Sequence, residues 1–109
     1  MEEKDLGRAI ADYNRAIALY GGGSAQVYCD RGKAYTMLRD YGRAIADHCK
    51  AIQLDPSYAE AYFARGLAHD LRRSIFDKGR AVADYRRALR LDSAHAYARE
   101  RLARLGAWP

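Results

Sequence analysis

The chain has 109 residues, half of them hydrophobic and 30% charged, and a net charge of +5. That length makes one domain and leaves little for a second; two prolines and no low-complexity tract exclude disorder as a description of the whole. Residues 1–57 hold eight basic and eight acidic side chains, whereas 58–109 hold eleven and six, so the excess charge would draw an acidic partner to the carboxyl-terminal half.

The first predicted helix covers about 5–20 and carries Ala9, Tyr13, Ala16 and Tyr20 on one stripe. Gly21-Gly22-Gly23 stops it, and Ser24 is the N-cap expected for the next helix, 24–38, with its stripe Tyr28, Gly32 and Tyr35. A third helix, 41–54, repeats the small–aromatic–small order as Ala44, His48 and Ala51, then ends at Leu54-Asp55-Pro56-Ser57, where proline bars continuation. The fourth, 58–72, carries Tyr62, Gly66 and His69. After Ser74-Ile75-Phe76, a fifth at 77–91 carries Ala81, Tyr85 and Ala88, and Leu91-Asp92-Ser93 separates it from a sixth at 94–105.

These elements repeat. Gly7–Ile17, Gly42–Ile52 and Gly79–Leu89 align with starts 35 and 37 residues apart, and Tyr28–Tyr35 aligns with Tyr62–His69 at an offset of 34. Alanines let a neighbouring backbone approach and the ring fills the gap between them. Glycine inside a helix costs about 1 kcal/mol relative to alanine. Its recurrence at one place therefore predicts a close helix crossing at Gly32 and Gly66.

The stretch from Ala59 to His69 resembles the first helix of the tetratricopeptide repeat (TPR), and Asp40–Pro56 resembles its second helix and terminator. The resemblance implies an all-α fold, a superhelix of antiparallel hairpins with about six helices. It divides the single domain 1–109 into a half repeat (5–23), a full repeat (24–57), a full repeat with a three-residue insertion (58–93), and a closing helix and tail (94–109). Arg31 and Arg65 stand where the family more often has leucine, so their stems are expected to pack while the guanidinium groups reach outward.

Little in the sequence suits catalysis. His48 and Cys49 are adjacent, and neighbours on a helix point about 100° apart, too far to act as base and nucleophile. His48 and His69 read as packed core rings and His95 as a solvated helix start. No HExxH, phosphate loop or GxSxG pattern occurs, so no enzymatic activity, catalytic residue, metal or cofactor is expected. Asp12, Asp47 and Asp84 recur at one position and are expected to form weak surface pairs with arginines. Cys29 and Cys49 read as free thiols of a reducing compartment. No apolar run approaches the roughly 20 residues of a membrane span, and no secretory signal follows Met1, so the expected location is cytoplasmic.

In the family this chain resembles, the first helices line a concave groove that receives extended or helical peptides. The resemblance implies lining positions at Gln26, Cys29, Asp30, Lys33, Thr36 and Met37, then at Glu60, Phe63, Ala64, Leu67, Asp70 and Leu71. Tyr97, Glu100, Arg101 and Arg104 would extend the lining on the last helix. The expected function is a protein- or peptide-binding adaptor or scaffold, for partners that are acidic and carry apolar anchors. One TPR subclass grips a carboxyl-terminal carboxylate with lysine and asparagine. Here those sites hold Cys29, Asp30, Glu60 and Ala64, with Lys33 where asparagine belongs, so that clamp is disfavoured.

Two other readings compete. A first helix without its hairpin partner would leave Ala9, Tyr13, Ala16 and Tyr20 open to self-association. Nucleic-acid binding through Arg72, Arg73, Arg80, Arg86, Arg87 and Arg90 is disfavoured, because exposed aromatic residues are not interleaved with them.

Overall fold

In a computed structural model, which describes residues 2–19 and 21–109, six α-helices follow one another: α1 Glu3–Leu19, α2 Ala25–Met37, α3 Tyr41–Leu54, α4 Ala59–Arg72, α5 Asp77–Leu91 and α6 Ala96–Arg104. No strand occurs among the described residues. Tyr20, expected on the self-association stripe, lies outside them. The helices pair as hairpins, α2 with α3 and α4 with α5; α4 also packs on α3, α1 on α2 and α6 on α5. The stack measures 42 × 27 × 22 Å, and α2 and α4 come side by side on one face.

Helix ends follow from local chemistry. Ser24 accepts a hydrogen bond from Val27 N at 3.2 Å, as expected of an N-cap, and Asp40 does the same for Arg43 N at 3.3 Å. After α1, Gly21 adopts φ +66° and Gly22 N bonds back to Ile17 O at 3.1 Å. After α2 the same left-handed turn is made by Arg39, φ +62°, with Asp40 N bonded to Tyr35 O.

The close crossings occur where glycine recurs. A Cβ on Gly66 would lie 2.9 Å from the Tyr85 ring, and one on Gly32 only 2.6 Å from the His48 ring. Each ring of a second helix thus rests on the backbone of its own first helix. Tyr85 is fully buried between Ala81 and Ala88, themselves without exposure. These alanines, with Tyr62, Ala98 and Leu102, form one core cluster; Cys29, Ala51, Ala61 and Ala64 form a second.

Two expectations about charge need correction. The guanidinium groups of Arg31 and Arg65 do not reach outward. Arg31 grips Asp47 through two bonds of 2.8 and 2.7 Å and touches Asn14 on α1 at 2.9 Å. Arg65 grips Asp84 at 2.9 and 2.8 Å and reaches Cys49 Sγ on α3 at 3.5 Å. Each arginine therefore braces three successive helices. Asp47 and Asp84 are buried, so these bidentate pairs are not the weak surface pairs anticipated. The bond to Asp84 is the main reason that the Arg65 guanidinium is held even more firmly protonated than usual.

Around the three-residue insertion, Asp77 is completely buried and gathers the turn. It accepts from Ser74 N (2.8 Å), Ser74 Oγ (2.6 Å) and twice from Arg72 (2.9 Å each), and it lies 3.2 Å from His69 Nδ1. Ile75 and Phe76 point into solvent, 89% and 67% exposed, and belong to no core cluster.

Candidate functional site

The face made by α2, α4 and α6 is crossed by polar links between helices. Lys33 Nζ pairs with Glu60 Oε1 at 3.1 Å, and Glu60 Oε2 lies 3.2 Å from His95 Nε2. His95 is therefore no solvated side chain. Its ring is almost buried, and its Nδ1 caps α6 by accepting from Ala98 N at 3.2 Å. Further along, Asp70 Oδ2 accepts from Arg101 Nε (3.0 Å), Arg101 Nη2 (2.6 Å) and Tyr85 OH (2.9 Å). Burial, and then the neighbouring Asp70 charge, hold the Tyr85 phenol protonated well above its usual range.

The repeats also differ at the seams between their first helices. Between α4 and α6 the trio Tyr85, Asp70 and Arg101 fills the seam. Between α2 and α4 the equivalent positions hold His48, Thr36 and Ala64, all shorter. What remains there is an apolar cleft of about 220 Å³, lined by Lys33, Thr36, Met37, His48, Ala64 and Leu67. Met37 is 55% exposed at its edge. His48 forms the floor, fully buried, and neither ring nitrogen has a hydrogen-bond partner among the described residues. Burial, with repulsion from Lys33 and Arg65, pushes its pKa down to about 4.

The expected lining positions differ in exposure. Gln26, Met37 and Tyr97 are exposed, and Lys33, Glu60, Leu67, Asp70 and Arg101 are partly so. Phe63 is half-buried: its ring centroid lies 4.7 Å from His95, 5.6 Å from Tyr85 and 6.3 Å from Tyr97, so it cements α4 to α6. Cys29 must be withdrawn from the lining. It is fully buried against Ala51, Ala61 and Ala64, whose small side chains let α3 and α4 close over it, and burial pushes its thiol up to about 11.

On α1, Ala9, Tyr13 and Ala16 are partly exposed. Ala9 and Tyr13 border a slot of about 140 Å³ against α2, lined also by Leu6, Asp30, Lys33, Ala34 and Met37. Asp12, the counterpart of Asp47 and Asp84, is exposed and has no ion-pair partner among the described residues. His48 and Cys49 do not meet: the Cys49 thiol faces Arg65, while both His48 nitrogens are unpartnered among the described residues. No helix among the described residues is long and apolar enough to cross a membrane.

Sequence reasoning missed the Asp77 knot, although its Ser74-x-x-Asp77 spacing was a visible signal. It also missed the difference between repeats that opens the cleft, legible from setting His48 against Tyr85 and Ala64 against Arg101.

The family model for the TPR repeat matches residues 32–70. Among solved structures, the Arabidopsis OM64 TPR domain is similar at 32% identity and a TM-score of 0.85, over 94% of this chain and 81% of that one. The second TPR domain of human RPAP3, in complex with the HSP70 peptide SGPTIEEVD, matches at 31% identity and 0.82, covering 95% and 83%. The first TPR of Spaghetti (RPAP3), bound to the HSP90 peptide SRMEEVD, matches at 25% identity and 0.86, covering 94% and 79%. Comparison with curated proteins gave no match.

Proposed function

The chain belongs to the tetratricopeptide-repeat family, and we propose on that premise that it is a non-catalytic adaptor whose α2–α4–α6 face binds a partner polypeptide. The observation that carries this reading is the cleft left between α2 and α4, where His48, Thr36 and Ala64 stand in place of Tyr85, Asp70 and Arg101. An aliphatic or aromatic side chain of the partner enters it, contacting Leu67 and Met37. Acidic residues flanking that anchor meet Lys33 on one side and Arg104 on the other, the latter 67% exposed and held only loosely by Glu100 at 3.9 Å. The peptides bound by the two RPAP3-type neighbours are themselves acidic. Here Lys33 and Arg101 are already engaged by Glu60 and Asp70, so the apolar anchor supplies more of the affinity than charge does. The two free cysteines, one buried and one exposed, suit work in the reducing cytoplasm.

Panning a displayed peptide library on the full chain, then measuring affinity by calorimetry, tests this. Leu67→Asp and His48→Tyr are each expected to weaken the selected peptides at least about tenfold, the first by charging the cleft and the second by filling it. Unchanged affinity in both variants would place the peptide elsewhere.

A second reading, self-association through α1, is favoured by the slot beside Ala9 and Tyr13 and by the exposed Asp12, which has no ion-pair partner among the described residues. In it, another copy supplies the helix that would pair with α1.

A further inference from the structure

A second, wider cleft lies away from that face, at the outer side of α5. Its volume is about 550 Å³, and Ala83, Leu89, Leu102, Ala107, Trp108 and Pro109 line it beside the guanidinium groups of Arg86 and Arg90. The tail builds one wall. At the end of α6, Gly106 takes φ +72°, Gly106 N bonds to Ala103 O and Ala107 N to Leu102 O at 2.8 Å, which turns the chain back. Arg86 Nη2 then donates to Ala107 O at 3.3 Å and holds the tail against α5. Trp108 remains 48% exposed at the opening.

The charge around this cleft is one-sided. α5 exposes Lys78, Arg80, Arg86, Arg87 and Arg90, whereas its two carboxylates, Asp77 and Asp84, are buried and gripped by Arg72 and Arg65. Among the described residues no carboxylate pairs with Arg86, Arg87 or Arg90. On the α2–α4–α6 face, by contrast, Lys33 and Arg101 are neutralised by Glu60 and Asp70. The positive excess of the carboxyl-terminal half thus presents itself on the outer side of α5, next to an apolar hollow.

We propose that this cleft is a second binding site, independent of the α2–α4 cleft, for an acidic polypeptide segment whose apolar side chain lies against Trp108 and Leu89 while its carboxylates pair with Arg86 and Arg90. Charge complementarity selects an acidic occupant. The aliphatic floor selects a polypeptide over a nucleic acid, since bases need aromatic platforms in series and this cleft has a single indole.

Trp108 is the only tryptophan, so its emission reports directly on the site. The probe is a peptide with one leucine flanked on both sides by glutamates, titrated into the full chain at low and high salt. Saturable change in Trp108 emission is expected, weakened at least about tenfold by the double variant Arg86→Glu/Arg90→Glu and weakened by salt. Leu67→Asp should leave this titration unchanged while disturbing the α2–α4 cleft, so each site can fail by itself. Four outcomes would overturn the proposal: no emission change at millimolar peptide, equal binding by the double variant, equal binding of the same peptide with lysines for glutamates, or tighter binding of a single-stranded oligonucleotide at matched salt. A concentration-dependent mass of the unliganded chain that the double variant abolishes would also overturn it, because the occupant would then be a second copy. Both arginines are exposed, and thermal unfolding of the double variant within a few degrees of the parent checks that its fold is intact.

Discussion

His48 occupies the stripe position that Tyr85 holds in the next hairpin, and burying an imidazole there makes folding sensitive to acid. Its pKa falls from 6.5 to about 4 on folding. Between those values the unfolded chain binds a proton that the native protein refuses, so the stability tied to His48 is complete above pH 6.5 and is lost as pH falls toward 4. The loss over that window is on the order of 3 kcal/mol. Thermal melts from pH 7 to pH 4 should show a steep fall that His48→Tyr flattens. Some slope will persist from His69, which burial also lowers. An equal slope in both proteins would mean that the ring is protonated in place. Arg31 and Arg65 follow a different rule, since removing one would strand Asp47 or Asp84 as a buried charge. The family's leucine at those positions is therefore not a neutral exchange here.

The α4–α5 turn shows what an element needs in order to accept extra residues. Its length costs little, but its geometry depends on Asp77, whose carboxyl is held far below the usual range chiefly by Arg72, with Ser74 and His69 adding to it. Asp77→Asn is expected to destabilise the domain by about 2–3 kcal/mol. Ile75→Ser and Phe76→Ser should each change it by less than about 0.5 kcal/mol, because both side chains already face solvent. Denaturant melts of the three variants decide this, and a larger loss for Phe76→Ser would show that its ring packs after all. Helix positions were legible because caps, glycines and stripe residues act locally: Ser24, Gly32, Gly66 and the Tyr85 stripe all stand as the spacing implied. Burial of Cys29 and capping by His95 were not legible. Both depend on how closely a neighbouring helix approaches, and that is set by residues far away in sequence, Ala51 and Ala61 for the thiol and Glu60 for the ring. The site was half legible for the same reason. Its lining positions follow from periodicity, but the cleft exists only because three side chains from three helices are jointly small.

For the molecule as a whole, the two ends of the stack differ. At one end α1 leaves Ala9, Tyr13 and Ala16 partly exposed beside a slot; at the other, the returning tail partly covers α5 and α6. If α1 recruits a second copy, sedimentation over a hundredfold concentration range should show mass rising toward a dimer, and Tyr13→Glu should hold the chain monomeric. A constant mass for the parent protein would remove this reading and leave peptide binding untouched.

The arginine braces bear on how such a chain can lengthen. Arg31 lies 16 residues before Asp47, and Arg65 lies 19 before Asp84, the difference being the three inserted residues. A tandem copy of residues 24–57 spliced in after Ser57 would bring its own arginine and aspartate at the proper interval. That arginine would also find Cys49 of the preceding unit within reach, as Arg65 does. Growth by duplication thus requires no new kind of contact at the seam, because each copy arrives carrying the fastener for its predecessor.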